Sequence, residues 1–299
     1  MYKLVISDSN DVYYNLALES YLLSLREEII FLWINKPTIV IGYNQNCYKE
    51  TNIEYLKHNN IDLARRITGG GCVYHDLNNL NVSLITKSED SFKLNNILKD
   101  VLRLFNIESV VSKSNDLLID DKKFSGQACY QENDISLYHS SILVDVDLNV
   151  LSKAITPSKL KLETHAIDSV RKRVVNLKSI NNDISVSKLI DAFKRLDYVK
   201  LTNIEVDEDK VNKIREKYAS HSYIYGNNPL FTYKEEKLIN NDIFDICLSV
   251  DENIIKEIEI CSDSMKVFNF ESIYEKFKGK EFLEEKTIQN IIDEIKKLY

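Results

Sequence analysis

The chain has 299 residues, of which 44% are hydrophobic and 28% charged, and a formal net charge of -7. That length accommodates one large domain plus a small one, or two of middling size, each able to bury a core. The acidic balance argues against a nucleic-acid binder that works by phosphate neutralisation, although Arg171-Lys172-Arg173 is a local basic cluster, and no apolar run approaches the ~18 to 20 residues of a membrane span.

Taken in chain order, 15–25 (NLALESYLLSL) places apolar residues at helical spacing. Residues 28–33 and 38–41 read as two apolar strands around an Asn35-Lys36-Pro37 turn, the second ended by Gly42. A helix is expected over 52–59, then a strand over 61–66 that runs into Gly69-Gly70-Gly71. Strand 82–86, helix 91–105 and a hairpin of 116–119 with 123–125 turning at Asp120-Asp121 follow. Another strand covers 138–144, and helical patterns cover 147–155, 185–195 and 207–219. After Gly226-Asn227-Asn228-Pro229, a dense turn cluster, two alternating strands are expected at 242–250 and 254–261, and helices at 270–279 and 286–298. This is an α+β arrangement: a large mixed-sheet domain over 1–234 and a small α+β domain over 235–299.

Glycine is the informative anomaly. An average chain of this length would carry about 21, whereas this one has 7, three of them together in RRITGGGCVYHDLNNLN (65–81). A composition that drifts away from glycine keeps it where no side chain fits. A loop without Cβ atoms lets backbone N–H groups converge on an anion, although a flexible turn explains a triplet equally well, and neither GxxxxGK[ST] nor GxGxxG is present. Alternation along a strand lets only one of Arg65 and Arg66 face a site. His75 follows four residues after Gly71, and the histidines form no HxH or HExxH spacing, which argues against a zinc site. In a second region, NDLLIDDKKFSG (115–126), a lysine opens a strand running into Ser-Gly; facing the glycine loop, it would neutralise a carboxylate and a phosphate together. The cysteines Cys47, Cys72, Cys129, Cys247 and Cys261 are too irregularly spaced for a disulfide framework or a CxxC knuckle. The start lacks a basic segment followed by an apolar one, so a cytoplasmic protein with reduced thiols is expected.

Six ordered blocks carry a resemblance: NLALESYLL (15–23), NKPTIVIG with Gln45 (35–45), RRITGGGCVYHDLNNLN (65–81), NDLLIDDKKFSG (115–126), LYHSSILVDVDL (137–148) and SVRKRVVNL (169–177). Together they resemble the lipoate–protein ligase family, within the biotin/lipoate ligase superfamily. The resemblance implies an ATP-dependent, two-step acyl transfer with lipoate as substrate, Mg²⁺ carried on the phosphates, and lipoyl-AMP as intermediate. It implies that Arg66, Gly71, Cys72, Val73 and Tyr74 contact the nucleotide, and that Lys123, chosen over Lys122 because it directly precedes the apolar-Ser-Gly step, bridges lipoate's carboxyl oxygen and the phosphate. Gly70, Gly71, His75 and His139 would line the lipoyl tunnel. Asn115 and Asp116 would meet the ribose or Mg²⁺, Asp116 being the metal-facing carboxylate. The acceptors implied are lipoyl domains of 2-oxoacid dehydrogenase E2 subunits and the glycine-cleavage H protein, with the chain acting as a monomer in lipoate salvage.

The chain departs from the family pattern at Cys72, where alanine is usual, at Asn78 and Tyr43, and at His165-Ala166 in place of Lys-Gly. Two rival readings stand beside the ligase. One is an octanoyl or lipoyl transferase of the same fold with a cysteine acyl carrier, whose cysteine would fall where this chain has Ser114-Asn115-Asp116. The other is a paralogue that binds lipoate without activating it. The GRGRxGR-type loop of biotin ligases is absent. The stretch 226–240 is a linker and, by the resemblance, a hinge candidate.

Overall fold

The computed structural model describes residues 1–87, 89–155, 174–225, 233–251 and 254–299, apart from the side chains of Tyr48, Lys49, Glu284 and Glu285. The Arg171-Lys172-Arg173 cluster, His165-Ala166, most of the 169–177 block and the 226–229 turn lie outside the described residues. Among the described residues no helix is long and apolar enough to cross a membrane.

The chain opens with β1 (Tyr2–Ile6), then α1 (Val12–Ser24), β2 (Ile29–Trp33) and β3 (Thr38–Ile41). Short helices α2 (Cys47–Glu50) and α3 (Ile53–His58) lead to β4 (Asp62–Arg65), β5 (Val73–His75) and β6 (Asn79–Thr86). After α4 (Lys93–Arg103) come β7 (Val110–Val111), β8 (Leu117–Ile119), β9 (Lys122–Glu132), β10 (Ile135–Leu143) and α5 (Leu148–Ala154). The chain continues with α6 (Leu177–Ile180), α7 (Val186–Lys194), β11 (Val199–Leu201), α8 (Glu208–Ala219) and α9 (His221–Tyr225). It ends with β12 (Tyr233–Ile239), β13 (Asp242–Asp251), β14 (Ile254–Ser262), α10 (Glu271–Phe277) and α11 (Glu284–Lys296).

Eight of the described strands form one mixed sheet in the order β11-β1-β2-β6-β10-β9-β8-β7. On one face α4 and α7 bury Leu94, Leu98, Leu189 and Phe193 against Leu4, Ile30, Leu32 and Val82. On the other, α1 and α8 bury Leu16, Leu22, Val211 and Tyr218 against Ile29, Phe31 and Leu137. α1 starts where Asp11 caps the backbone N–H groups of Tyr13 and Tyr14, and α4 buries one stripe at helical spacing. A small sheet, β4-β3-β5, leans on this body with its own core of Ile39, Ile41, Leu63 and Tyr74. The strands β12-β13-β14 form a third sheet, packed through Phe244, Ile246 and Ile260 on α10 and α11.

Tight turns in this glycine-poor chain are filled by other residues. Asp120 and Asp121, which join β8 to β9, both have positive φ, as do Asn240 and Asn241 between β12 and β13, the backbone of hairpin turns that Asn and Asp tolerate best after glycine. Among the glycines only Gly70 and Gly279 have positive φ in the described residues, whereas a Cβ on Gly42, Gly69, Gly70 or Gly126 would come within 3.0 Å of another group, so close approach is the commoner reason that glycine is kept.

Candidate active site

Strand β3 sits between β4, its parallel partner, and β5, its antiparallel one, with Ile41 opposite Arg65 and Thr38 opposite His75. The glycine triplet is the crossover from β4 to β5, so its position is fixed from both sides. The two arginines before it face different ways, as strand alternation requires. Arg65 is buried and donates to the carbonyl oxygens of Gly42, Tyr43 and Gln45 on one side and of Tyr223 and Ile224 on the other. It is a clamp that ties the 42–45 loop to α9. Arg66 is also buried, 5% exposed, and turns into the glycine loop. Its Nη2 donates to the carbonyls of Gly69 (2.6 Å) and Gly71 (2.8 Å), Nη1 to Val40 O (3.1 Å), and Nε to Thr68 Oγ1 (2.9 Å). Burial lowers its pKa to about 10, with neighbouring Arg65 adding to the effect against the opposing influence of Cys72 and Glu19; it remains a cation at neutral pH.

The three glycines do different things. A Cβ on Gly69 would run into the backbone of Ser264 and Met265, and one on Gly70 would meet Met265 Sδ at 2.6 Å, whereas a Cβ on Gly71 would meet nothing within 4 Å. The first two glycines are the seat of a loop from the C-terminal sheet domain. The Gly70 N–H donates to Ser264 O, Ser262 N donates to Asn44 O (2.8 Å), and Asn44 Nδ2 to Lys266 O (3.1 Å). Gly71 is the one that borders a cavity of about 710 Å³.

That cavity also takes Arg66, Cys72, Val73, His75, Asp116, Lys123 and His139 into its walls, so eight of the eleven residues expected from the sequence converge on one space. Three do not. Gly70 lies beneath Met265 rather than on the wall. Tyr74 points away because β5 alternates: Val73 and His75 face the cavity, and Tyr74 packs into the small-sheet core. Asn115 is a turn residue with φ 60°, its N–H on Ser112 O and its carbonyl accepting from Asn95; Ser114 is the wall residue there.

Lys123 Nζ lies 2.9 Å from Asp116 Oδ1, and Ser114 Oγ donates to Asp116 Oδ2 (3.1 Å). Gly126 makes room for this pair, since a Cβ on it would stand 2.6 Å from Lys123 Nζ. His75 is buried; Asn35 Nδ2 donates to its Nδ1 (3.1 Å), and Nε2 has no partner among the described residues. Burial, reinforced by Arg66 and His139, drives its pKa down to about 3. His75 is therefore a neutral donor at the wall, with the proton on Nε2. Leu16, Trp33 and Val40 supply apolar wall. Cys129 is not among the wall residues, and burial raises its thiol pKa, the opposite of what an acyl-carrying thiolate needs.

Sequence reasoning missed several wall residues: Trp33, Asn81, Gln127 and, from the far end of the chain, Asp263 and Met265. Trp33 had a signal, being the one tryptophan in the sequence. Met265 had none, because it arrives by a contact almost two hundred residues away from the loop it covers.

Residues 11–196 match the family model described as the lipoyl protein ligase A/B catalytic domain, and residues 228–299 match that of the bacterial lipoate protein ligase C-terminus. Lipoate-protein ligase A of Bdellovibrio bacteriovorus is 33% identical, over 94% of this chain and 88% of its own length. The crystal structure of Plasmodium falciparum LipL1 in complex with lipoate superposes with a TM-score of 0.81 at 25% identity, covering 99% of this chain and 98% of that one. A bipartite lipoate protein ligase described with its E2 lipoyl domain, from Thermoplasma acidophilum, gives a TM-score of 0.67 at 26% identity over 78% of this chain and 99% of that chain. With a catalytic-domain match over more than half its length and the bacterial C-terminal domain behind it, this chain belongs to the lipoyl protein ligase family.

Proposed function

We propose that this ATP-dependent ligase activates lipoate to lipoyl-AMP and passes the lipoyl group to a lysine of an acceptor protein. The observation that carries the reading is the convergence on one cavity of the Arg66-held loop, the Lys123–Asp116 pair and an apolar wall. In the first step a lipoate carboxylate oxygen attacks the α-phosphorus of ATP, forming the mixed anhydride, and pyrophosphate leaves. In the second the neutral ε-amine of the acceptor lysine attacks the acyl carbon, the amide forms, and AMP leaves with the electron pair of the broken C–O bond.

Charge governs the first step, because a carboxylate must approach a phosphate. Lys123 is the cation on the wall that meets both, acting electrostatically with no covalent enzyme intermediate. Arg66 shapes the loop of Gly71, Cys72 and Val73 that receives the nucleotide. His75, neutral with a free Nε2–H, donates a hydrogen bond without adding charge, and Trp33, Leu16 and Val40 take the acyl chain, with His139 on the same wall. Mg²⁺ carried on ATP would offset the phosphate charge. Such an ion takes one or two protein carboxylates, and Asp116 is the one beside Lys123; among the described residues no group of three His, Cys, Asp or Glu could hold a metal alone. The lipoyl domain named with the Thermoplasma ligase supports lipoyl-domain proteins as acceptors, the E2 subunits and glycine-cleavage H protein being the ones to try.

The test is incubation with ATP, Mg²⁺ and lipoate, watching for pyrophosphate and lipoyl-AMP before any acceptor is added. Lipoyl-AMP alone, followed by lipoylation on adding a lipoyl domain, is the expected result. Acceptor modification without adenylate or pyrophosphate would replace the reading with a transferase, and binding without either product would leave a lipoate carrier.

A further inference from the structure

The end of the acyl wall away from Lys123 holds a polar side chain, Asn81, that the scheme above does not use. Directly paired residues of neighbouring strands share a face of the sheet, and one such row crosses four strands. Gly126 on β9 pairs with Ser141 on β10, Ser141 with Asn81 on β6, and Asn81 with Trp33 on β2. All four are wall residues of the cavity. At one end of the row a Cβ on Gly126 would stand 2.6 Å from Lys123 Nζ, so the ammonium group lies close to that glycine. At the other end Trp33 is held on three sides: its Nε1 donates to Ser83 Oγ (2.9 Å), Phe31 stacks on it at 6.2 Å between ring centroids, and His75 meets it edge-on at 6.0 Å.

The row sets a length. Strands stand about 4.8 Å apart, which puts Asn81 about 10 Å from Gly126, and Trp33 about 14 Å from it. A fully extended run of eight carbons spans about 9 Å once its zigzag of ~1.5 Å bonds is projected on its length. Laid along the row with its carboxylate on Lys123, lipoate therefore brings its dithiolane ring to Asn81, with Trp33 behind it.

Two buried polar side chains meet the ring there. Asn81 is 2% exposed; Asn79 Nδ2 donates to its Oδ1 (3.0 Å), and its Nδ2 has no partner among the described residues. That contact needs one donor and one acceptor, so whichever amide donates, the outer half of the Asn81 amide is left over. His75 is 3% exposed, and its Nε2 is likewise without a partner among the described residues. Its tautomer is fixed from the backbone, because carbonyl oxygens only accept. Asn15 Nδ2 donates to the carbonyls of Ser9 and Ile34 and to Asn35 Oδ1, which leaves Asn35 Nδ2 to donate to His75 Nδ1 and the histidine proton on Nε2. A buried donor left without a partner is unfavourable, and an alkyl end laid against it keeps it so. A ring sulfur is a weak acceptor and relieves part of the penalty.

We propose that Asn81, with His75 beside it, recognises sulfur at the end of the acyl wall, so that the cavity selects an acid ending in a dithiolane ring over a carbon-only acid of the same size. The proposal rests on the lipoate-activating reading given above. The probe is cyclopentanepentanoic acid, which keeps the chain and the five-membered ring of lipoate and replaces both sulfurs by methylene groups. Binding of each acid to the full chain is measured by calorimetry without ATP. Acid-dependent exchange of labelled pyrophosphate into ATP then gives kcat/KM, for wild type and Asn81→Leu, with thermal melting of both. The wild type should favour lipoate by about tenfold or more in both measurements. Asn81→Leu, which has the same branching without the amide, should bring that ratio to within about threefold, chiefly by improving use of the cyclopentyl acid. Equal affinity of the wild type for the two acids would overturn the proposal whether or not the variant folds, as would a folded Asn81→Leu protein with the wild-type ratio. A wild type that binds with the expected preference but gives no exchange would uphold the sulfur site and overturn the adenylation reading instead.

Discussion

Lys123 and Asp116 form an ion pair, Nζ to Oδ1 2.9 Å, on the wall of the cavity that also holds the Arg66-bound glycine loop. The lysine side chain is 41% exposed, and an exposed pair of this kind contributes little to folding, under about 1 kcal/mol. Its effect is to hold an ammonium group in place beside the loop. Lys122, one residue earlier, is exposed and is not part of the wall.

Lys123→Ala is therefore expected to cut lipoyl-AMP formation by at least ~10²-fold, the scale on which loss of one preorganised electrostatic group acts, with the melting temperature unchanged. Lys122→Ala should adenylate normally. Pyrophosphate release by the two variants, measured side by side, checks this; equal rates would remove Lys123 from the mechanism.

The glycine triplet separates into two roles that mutation can distinguish. Gly71→Ala adds a methyl group in open space and should leave stability unchanged, so any loss of activity reports on the nucleotide alone. Gly69→Ala drives a Cβ into the Ser264–Met265 backbone, and overpacking of that kind costs about 1 to 3 kcal/mol. The C-terminal loop is expected to leave its seat, and limited proteolysis should then release a fragment beginning near residue 233 faster than in the wild type. A cleavage rate unchanged by Gly69→Ala would mean the loop is not held there.

Arg65 was indistinguishable from Arg66 in the sequence beyond the statement that one of the two turns away. In the structure Arg65 supplies buried donors to carbonyls on two segments separated by some 180 residues. Arg65→Met should leave several of those carbonyls without partners, at about 1 to 3 kcal/mol each, and so lower unfolding free energy by at least about 3 kcal/mol. Urea denaturation measures it, and a loss below about 1 kcal/mol would show that water replaces the clamp.

That contrast marks what the sequence could and could not convey. Elements whose signal is local were legible: α1 and α4 from helical spacing, the β8–β9 hairpin from Asp120-Asp121, and the Lys123 strand from its run into Ser-Gly. Strands β1, β5, β7, β11 and β12 went unread. β11 has three residues, too few for a period, and β12 (YKEEKLI) is an edge strand whose charges mask its alternation. Residues whose role depends on distant partners stayed hidden as well. Glu19 was quoted within an apolar helix, but that its side chain meets His139 follows only from the packing of α1 under the sheet. The need for glycine at 69 and 70 arises from a loop near residue 264, so local reasoning could offer the whole triplet only as an anion cradle or a flexible turn.

His75 provides a pH test. Its folded pKa is lowered from the ordinary 6.5 to about 3, first by burial and then by Arg66 and His139. Between these values the unfolded chain binds a proton that the folded chain does not, so unfolding is favoured as pH falls through 6.5, and stability rises with pH across the window. Above about pH 7 the residue is neutral in both states and contributes no slope. From pH 7.5 to pH 5 the expected loss from this residue is about 2 kcal/mol, since 1.5 pH units lie below the unfolded pKa. In His75→Gln, whose amide oxygen can still accept from Asn35, that part of the slope should vanish even though the variant is less stable at every pH. Urea midpoints of both proteins between pH 5 and 7.5 decide the matter: parallel curves would mean that His75 takes up its proton in the folded state and is no neutral donor at the cavity wall.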